Sequence, residues 1–243
     1  MIARNVIALP INSHRKAYIL RQSKRLLLAF WGIPESAARD ALARLPISPT
    51  EIAIAKLGLT IEEPEELDVR EFTRGPRLEA AGLLDGAKKR IAVAKKFSPI
   101  IRRFTLAHEI AHYLLHGRQL LLREPPITDA TFERPSKSIH EREANLFAAE
   151  LLMPSFLVET VFTRLFGAPI DSSRIDENEA FRITSGKIPA SALRKMSVRD
   201  LSKFVASNSS LTFKSDRPLA EIFQVSSTAM AIQLEELRLV RGD

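Results

Sequence analysis

The alternation of apolar and polar residues along the chain predicts helices on both sides of a short hairpin. Residues 14–45 carry apolar side chains at helical spacing, and Pro34 is expected to break that helix. Residues 48–51, Ser-Pro-Thr-Glu, form a capping-box pattern with proline at the first helical position, and Gly58 is expected to end the short helix that begins there. The N-terminal part of the sequence is therefore predicted to be helical.

A β-hairpin is predicted for residues 78–95. Asp85 and Gly86 form a dipeptide that favours a two-residue turn, and residues 90–94 follow as the second strand. This hairpin provides the predicted sheet of an otherwise helical sequence.

A long apolar helix is predicted directly after the hairpin. Ser98 and Pro99 suit its first positions, and Gly117 suits its end. The stretch RFTLAHEIAHYLLHG, residues 103–117, lies within it and holds three of the chain's five histidines. A cluster of imidazoles in an apolar run indicates a functional site on this helix.

The remaining pattern predicts further helices separated by irregular stretches. Residues 117–137 are polar, contain prolines and are predicted to form a loop, and a second capping-box pattern at 138–141 starts a helix that reaches Pro154. Residues 167–189 are predicted to be irregular, and the chain from Ser197 onward to be helical in two or three pieces. The order of these elements predicts an α+β fold.

Three segments follow from this order. Residues 1–45 are predicted to form an N-terminal helical arm, residues 46–165 an α+β domain, and residues 166–243 a helical C-terminal domain.

The amino-acid composition excludes some kinds of site and indicates a cellular location. The absence of cysteine excludes disulfides and thiolate metal sites and fits a reducing compartment, while the net charge of +7 allows an anionic partner. The sequence contains no apolar run long enough to cross a membrane. The apolar stretch LLLAFWGI, residues 26–33, lacks a cleavage site after it and is interpreted as a helix rather than a signal peptide, so a cytoplasmic location is predicted.

The best candidates for metal binding and catalysis are His108, Glu109 and His112, which form an HExxH pattern. Residues four apart lie on one face of a helix, about 6 Å from each other, so both imidazoles can reach one zinc ion. Glu109 is rotated from that face and is expected to act as general base toward the attacking water. The pattern alone is also compatible with a helix that carries incidental histidines.

A catalytic zinc usually takes a third protein ligand. His116 lies two turns beyond His108, about 12 Å along the helix axis, and is therefore excluded from the same site. The longer pattern HExxHxxGxxH is also absent, because Leu115 and Arg118 occupy its glycine and histidine positions.

The helix at residues 140–154 offers three glutamates as the missing ligand. Glu141 is interpreted as the capping-box residue, and Glu143 is favoured as the ligand because a carboxylate on an apolar element needs a cation. Glu150 is interpreted either as a partner that orients a ligand histidine or as an ion-pair partner of Arg102 or Arg103. His140 and Tyr113 are candidate donors to the oxyanion, on proximity in sequence alone.

Two motifs together resemble a known family. The stretch RFTLAHEIAHYLLH, followed further along by EREANLFAAELLMP, is similar to the ImmA/IrrE family of bacterial zinc metallopeptidases, as are the upstream stretches SPTEIAIAKLGL and RIAVAK. The resemblance covers about residues 46–156, with Ala111 in place of the usual glycine, and residues 166–217 match nothing in the pattern.

The resemblance implies a fold, a site and a function. It implies a minimal zincin-like fold in which a short twisted sheet packs on the HExxH helix. It also implies that His108, His112 and Glu143 bind Zn²⁺ and that Glu109 is the general base. Members of this family cleave a partner helix-turn-helix repressor in stress, mobile-element or defence switches, so such a repressor is the expected substrate.

A basic stretch lies around the hairpin and the start of the histidine helix. No acidic residue occurs between Gly86 and Arg103, whereas basic residues are frequent. These are Lys88, Lys89, Arg90, Lys95, Lys96, Arg102 and Arg103. The stretch is either a surface for single-stranded DNA or RNA, which would act as an activator, or a solvated face.

The C-terminal stretch at residues 217–240 has a pattern similar to a helix-turn-helix. A recognition helix carries side chains that read bases, but the second helix of this stretch offers only Gln233, which is followed by Glu235 and Glu236. The stretch is therefore interpreted as a structural helix pair.

Two functions remain open from the sequence. The first is a zinc endopeptidase that inactivates a repressor, and the second is a non-catalytic regulator that binds nucleic acid or protein and holds a structural zinc. Glu109 favours the enzyme, because a structural zinc site needs no general base.

Overall fold

The computed structural model describes residues 11–67, 80–117, 120–122, 138–208 and 217–242. Helices and a small sheet are combined in it, which confirms the α+β class. The chain packs into two compact units, one made of Met1–Gly32 with Ser48–Leu152 and the other of Ile33–Ile47 with Met153–Asp243. The three predicted segments, with boundaries after residues 45 and 165, stay a prediction.

The first unit holds four helices and four strands among its described residues. In chain order these are α1 (Ser13–Trp31), α2 (Pro49–Leu57), β1 (Thr60–Glu62), β2 (Gly82–Asp85), β3 (Arg90–Val93), α3 (Pro99–Leu115), β4 (Leu120–Leu122) and α4 (Ile139–Leu152). The strands form one sheet in the order β1-β3-β2-β4, in which β1 and β3 are parallel and the other pairs antiparallel.

The predicted hairpin is present as β2 and β3, but its turn is longer than expected. Asp85 pairs with Arg90, so residues 86–89 lie between the strands and the prediction of a two-residue turn is wrong. The Asp85 side chain accepts a hydrogen bond from the backbone N–H of Lys88 at 3.1 Å, and Lys89 takes a positive φ of 52°. The aspartate therefore stabilises a wider turn, which places the left-handed residue at its end rather than at Gly86.

Helices α3 and α4 carry the site and pack against each other. The Ser98 hydroxyl accepts a hydrogen bond from the backbone N–H of Ile101 at 3.4 Å, so α3 begins as predicted. Helix α3 also contacts β2. Its residues from Phe104 to His112 are all buried, because the helix has neighbours both in the sheet and in α4.

Helix α1 packs on α4 within the same unit. Its apolar face, with Ile19 and Leu27 buried, lies inward, and the Ser23 hydroxyl donates to the Phe147 carbonyl at 3.5 Å. The helix ends at Gly32, which has a φ of 66°. The N-terminal segment thus begins with the predicted helix, which ends just before Pro34.

The second unit is mainly helical over its described residues. It contains the 3₁₀ helix Glu35–Arg44, α5 (Ser155–Phe166), β5 (Ile170–Asp171), the 3₁₀ helix Ser172–Arg174, α6 (Glu177–Thr184), α7 (Ala190–Leu193), α8 (Val198–Ser207), α9 (Leu219–Phe223), α10 (Ser227–Glu236) and β6 (Val240–Arg241). Strands β5 and β6 are parallel.

Two expectations about this unit are corrected. The stretch after Pro34 is a 3₁₀ helix with a kink at Ala41, rather than a continuation of an α-helix. Helix α6 lies in the stretch predicted to be irregular. The Asp176 side chain caps it by accepting from the backbone N–H of Glu179 at 2.7 Å, and Ser185 ends it with a φ of 54°. Eight residues are too few for a clear helical period in the sequence.

Helices α9 and α10 form the pair that resembles a helix-turn-helix. Gln224 joins them with a φ of 52°. Gln233 is buried on α10 and donates a hydrogen bond to the Met153 carbonyl at 3.1 Å. A side chain engaged in the interior is not available to read bases, so the geometry agrees with a structural pair.

Over the described residues, no single helix combines the length and apolar composition needed to cross a membrane. Helices α4 and α5 meet that requirement only when taken together as a bent pair, and by length and composition alone.

Candidate metal centre

Two histidines on α3 turn their side chains toward one point. His108 and His112 are four residues apart, and their Nε2 atoms lie 2.8 Å from each other. Their rings meet edge to face, with centroids 4.6 Å apart, and both side chains are buried. The structure thus brings together the two histidines that the HExxH spacing pairs.

The carboxylate that completes this cluster belongs to Glu141. One oxygen of Glu141 lies 3.1 Å from His108 Nε2, and the other lies 3.1 Å from His112 Nε2. The three residues offer ligand atoms that all lie within 4.8 Å of one another. This corrects the expectation that Glu143 would lie at the histidine pair and that Glu141 would close a capping box.

Helix geometry explains why only one of these two glutamates reaches His108 and His112. Each residue advances a helix by about 100°, so Glu143 points about 200° away from Glu141. Its carboxylate instead accepts hydrogen bonds from Arg15 Nε at 2.8 Å and from a terminal nitrogen of the same guanidinium at 2.6 Å. Chiefly because of the hydrogen bonds from Arg15, the pKa of Glu143 falls to about 2.

The hydrogen bond at the far side of His108 defines which nitrogen carries its proton. His108 Nδ1 lies 2.8 Å from the amide oxygen of Asn145. An amide oxygen only accepts, so Nδ1 donates and the lone pair of Nε2 points toward Glu141. Asn145 follows Glu141 by four residues and shares its helix face.

His112 is oriented by a second histidine. Its Nδ1 lies 2.9 Å from Nδ1 of His116, whose Nε2 lies 2.9 Å from Glu143. Burial lowers the pKa of His116, which favours its neutral form. Both nitrogens of His116 are directed at other side chains, so they lie outside the set of converging ligand atoms, in agreement with the distance of His116 along the helix.

The arrangement fits a divalent cation. Two imidazole lone pairs and a carboxylate are all acceptors, so their convergence in a buried place is unfavourable unless a cation or a shared proton lies between them. Tetrahedral ligands at the usual zinc distances are about 3.3 Å apart. The separations of 2.8 to 3.1 Å observed here are close to that spacing.

The candidate general base lies beside the ligands against strand β2. Glu109 is fully buried, and its side chain approaches Gly82. A Cβ atom at Gly82 would lie 2.5 Å from Thr105 Cγ2 and 2.8 Å from Glu109 Oε1. Gly82 thus allows the strand to lie close to the helix at the position of the base.

We expect Gly82→Ala to lower both the stability of the protein and any activity in which Glu109 is the base. The added methyl group must displace Thr105 or Glu109, and overpacking of this kind costs roughly 1–3 kcal/mol. A base displaced by about 1 Å can cost on the order of 100-fold in rate. Thermal unfolding and kcat/KM are the measurements.

Gly32→Ala is the matched control for this variant. Gly32 has a φ of 66° with open space around it, so alanine there strains the backbone without touching Glu109. Its stability should fall while kcat/KM is retained. Equal activity of both variants would show that Gly82 does not position the base.

The other predicted site residues are not members of this set of converging ligand atoms. Glu150 is buried. Its two predicted roles, orienting a ligand histidine or pairing with Arg102 or Arg103, stay predictions. The ring of His140 packs on that of His116, with centroids 4.5 Å apart. The oxyanion roles of His140 and Tyr113 stay predictions.

Acidic side chains accompany the basic stretch in the folded chain. Lys88 lies 3.6 Å from Asp85, Arg90 lies 3.4 Å from Glu62, and Lys96 lies 3.8 Å from Glu66. Arg102 lies similarly near Glu63, at 3.4 Å. These pairs reduce the positive field of the stretch.

The role of the whole basic stretch in nucleic-acid binding stays a prediction, including that of Lys89 and Lys95. Lys89 occupies the hairpin turn, and Lys95 lies just after β3, where its backbone N–H donates to the Pro64 carbonyl at 2.8 Å.

The part of the chain that holds the cluster is similar to known proteins. Residues 63–166 match the family described as peptidase M78, IrrE N-terminal-like domain. The radiation response metalloprotease IrrE of Deinococcus deserti is 35% identical over 98 residues, which are 40% of this chain and 34% of that protein. The match therefore spans about a third of the relative's length. The residues of the cluster all lie inside the matched range, and this part of the chain is similar to the ImmA/IrrE family of metallopeptidases.

Proposed function

We propose that this protein is a zinc-dependent endopeptidase that cleaves a partner transcriptional repressor. The observation that supports it most is the convergence of His108, His112 and Glu141 next to the buried Glu109. This is a set of three protein ligands with a carboxylate base beside it, which is the composition of a catalytic zinc site rather than a closed structural one.

Zinc suits the donors of this cluster. Two imidazole nitrogens and one carboxylate oxygen are common zinc ligands, and three ligands from the protein leave one position for the substrate. When bound, the ion supplies Lewis acidity that polarises the scissile carbonyl and makes water a better nucleophile.

The side chains around the cluster supply the remaining chemistry. Glu109 accepts the proton of the attacking water and passes it to the leaving amine. Asn145 holds His108 with its Nε2 lone pair toward Glu141, and His116 does the same for His112. The burial of α3 excludes bulk water from one side of the site.

The edge of the described sheet at β4 is suited to an extended peptide. Among the described strands, β1 and β4 form the edges, and β4 pairs with β2, the strand that carries Gly82 next to Glu109. A substrate segment that pairs with β4 would extend the sheet by one strand. This requires an unfolded segment in the substrate, which favours cleavage at one or a few exposed bonds.

A helix-turn-helix repressor is the proposed substrate, by resemblance to the family. The name of the Deinococcus deserti relative, a radiation response metalloprotease, supports a role in a stress response. We further propose that the protein acts in the cytoplasm, where such a repressor is found.

The function is tested by incubating the protein with a repressor encoded beside its gene, with and without a chelator, and measuring the fragments by mass spectrometry. We expect one or few cuts that disappear with chelator and return when zinc is restored. Broad digestion of casein and unrelated proteins, without preference for the repressor, would contradict the proposed specificity.

Activation by nucleic acid is tested separately with the variant Lys88→Ala, Lys89→Ala, Arg90→Ala. Binding of single-stranded DNA through this stretch should weaken steeply with salt and be reduced in the variant. If the variant binds single-stranded DNA and cleaves the repressor as the unmodified protein does, the stretch is only a solvated face.

A further inference from the structure

We propose that Arg15, Glu143 and His116 form a hydrogen-bonded relay that positions His112 as a metal ligand, so that helix α1 is part of the metal centre. The inference rests on the proposed function of the cluster as a metal site, but its first test needs neither metal nor substrate. Arg15 is separated from Glu143 by 128 residues in the sequence.

The direction of each hydrogen bond follows from the groups that form it. A guanidinium only donates, so both contacts from Arg15, at 2.8 and 2.6 Å, are accepted by the Glu143 carboxylate. The same carboxylate is 2.9 Å from His116 Nε2, which must therefore donate. A neutral imidazole has one donor and one acceptor, so Nδ1 of His116 accepts.

The last bond of the relay reaches the ligand. His112 Nδ1 lies 2.9 Å from His116 Nδ1 and must donate to it, because that atom accepts. The lone pair of His112 is then on Nε2, which is 3.1 Å from Glu141. The relay thus specifies the tautomer in which His112 can bind a cation together with His108 and Glu141.

Burial makes this relay depend on Arg15. The side chains of His116 and Glu143 are 5% and 7% exposed, whereas that of Arg15 is 35% exposed. A buried carboxylate is costly without a paired cation, so the two hydrogen bonds from Arg15 hold the Glu143 carboxylate in place. The ring of His140 packs on His116 with a centroid distance of 4.5 Å and further limits its rotation.

Removing Arg15 should affect metal affinity differently if it positions His112 than if it only forms an ion pair that stabilises the fold. Loss of a group that orients a metal-binding histidine typically costs about 10–100-fold in metal affinity. Loss of a partly exposed ion pair that only stabilises the fold costs little and leaves the ligand unchanged. The tautomer of His112 and the metal affinity therefore separate the two roles.

The experiment compares Arg15→Met, Arg15→Lys and His116→Phe with the unmodified protein. In metal-free samples, long-range ¹⁵N–¹H correlation spectra report which nitrogen of His112 carries the proton. We expect protonated Nδ1 in the unmodified protein and a population of protonated Nε2 in His116→Phe. Zinc affinity, measured by competition with a chelating dye, should fall about 10–100-fold in His116→Phe and Arg15→Met. Arg15→Lys keeps the positive charge, so its zinc affinity should lie between that of these two variants and that of the unmodified protein.

Arg199→Met is the matched control. Arg199 forms a similar pair of bonds with Glu235, at 2.7 and 2.9 Å, in the second unit. Its removal should leave the His112 spectrum and the zinc affinity unchanged. Should His116→Phe fail to fold, the partly exposed Arg15 variants still decide the question.

An unchanged His112 tautomer together with unchanged zinc affinity in the folded variants would overturn the relay. Failure of the proposed function is a different result: the unmodified protein would then bind no zinc or cleave no repressor, whereas the His112 tautomer in the metal-free protein would still report whether the relay exists.

Discussion

Glu109→Gln is expected to keep bound zinc and to lose peptidase activity. Glu109 lies one residue beyond the ligand His108 and packs toward Gly82, so its carboxylate is a base beside the cluster and not one of the converging ligand atoms. Glutamine has nearly the same size but cannot accept the proton. A positioned base contributes about 10²–10⁴-fold, so kcat/KM for the repressor should fall by that factor. Zinc stoichiometry and cleavage rate are measured on the same preparation.

His112→Ala is the comparison for this variant. It removes a ligand, so both zinc and cleavage should be lost. If Glu109→Gln cleaves at the unmodified rate, Glu109 is not the general base, and the non-catalytic regulator with a structural zinc becomes the better interpretation.

Glu141→Ala is expected to lose most of the zinc, and to lose more than Glu143→Ala. Both oxygens of Glu141 contact the ligand histidines at 3.1 Å, whereas Glu143 acts at a distance through His116. The Glu143 variant should weaken binding by about 10–100-fold, as expected for a group outside the ligand set. Removal of the ligand itself should exceed that range.

Zinc should also stop stabilising the Glu141 variant. A ligand that binds only the folded state adds about 4 kcal/mol at a free concentration 1,000 times its Kd, and this increment disappears when binding fails. The measurements are zinc content and thermal unfolding with and without zinc. Glu159→Ala, which removes a half-exposed partner of Arg39 on α5, is the control and should behave like the unmodified protein. Full zinc occupancy in Glu141→Ala with loss in Glu143→Ala would restore Glu143 as the ligand.

Local patterns in the sequence were sufficient for the central part of the site. The positions of His108, Glu109 and His112 follow from helical spacing alone, because four residues return a helix to nearly the same face. The start of α3 at Ser98 follows from a cap that involves only neighbouring residues. The hairpin strands were predictable for the same reason, since their pattern and their turn lie within a few residues of each other.

The choice between Glu141 and Glu143 required the tertiary structure. Both are acidic residues near the start of one helix, and the sequence does not say which side of α4 faces α3. A capping box is a local interaction, but the packing of α4 on α3 brings the carboxylate of Glu141 to the two buried imidazoles, where a shared cation can bind all three. Asn145 could have been found from the sequence, because it follows Glu141 at the spacing that shares a helix face.

The partners that are distant in sequence could not have been found in this way. Arg15 binds Glu143 across 128 residues, and acids near β1 lie beside a basic stretch that contains no acid of its own. Hydrophobic periodicity specifies which face of an element is buried, but not which polar side chain from another element will meet it. The sequence by itself therefore determined the helix, the histidine pair and the base, while the packing of α1 and α4 against α3 decided the third ligand and the residues that hold it, because those contacts exist only after the helices have docked.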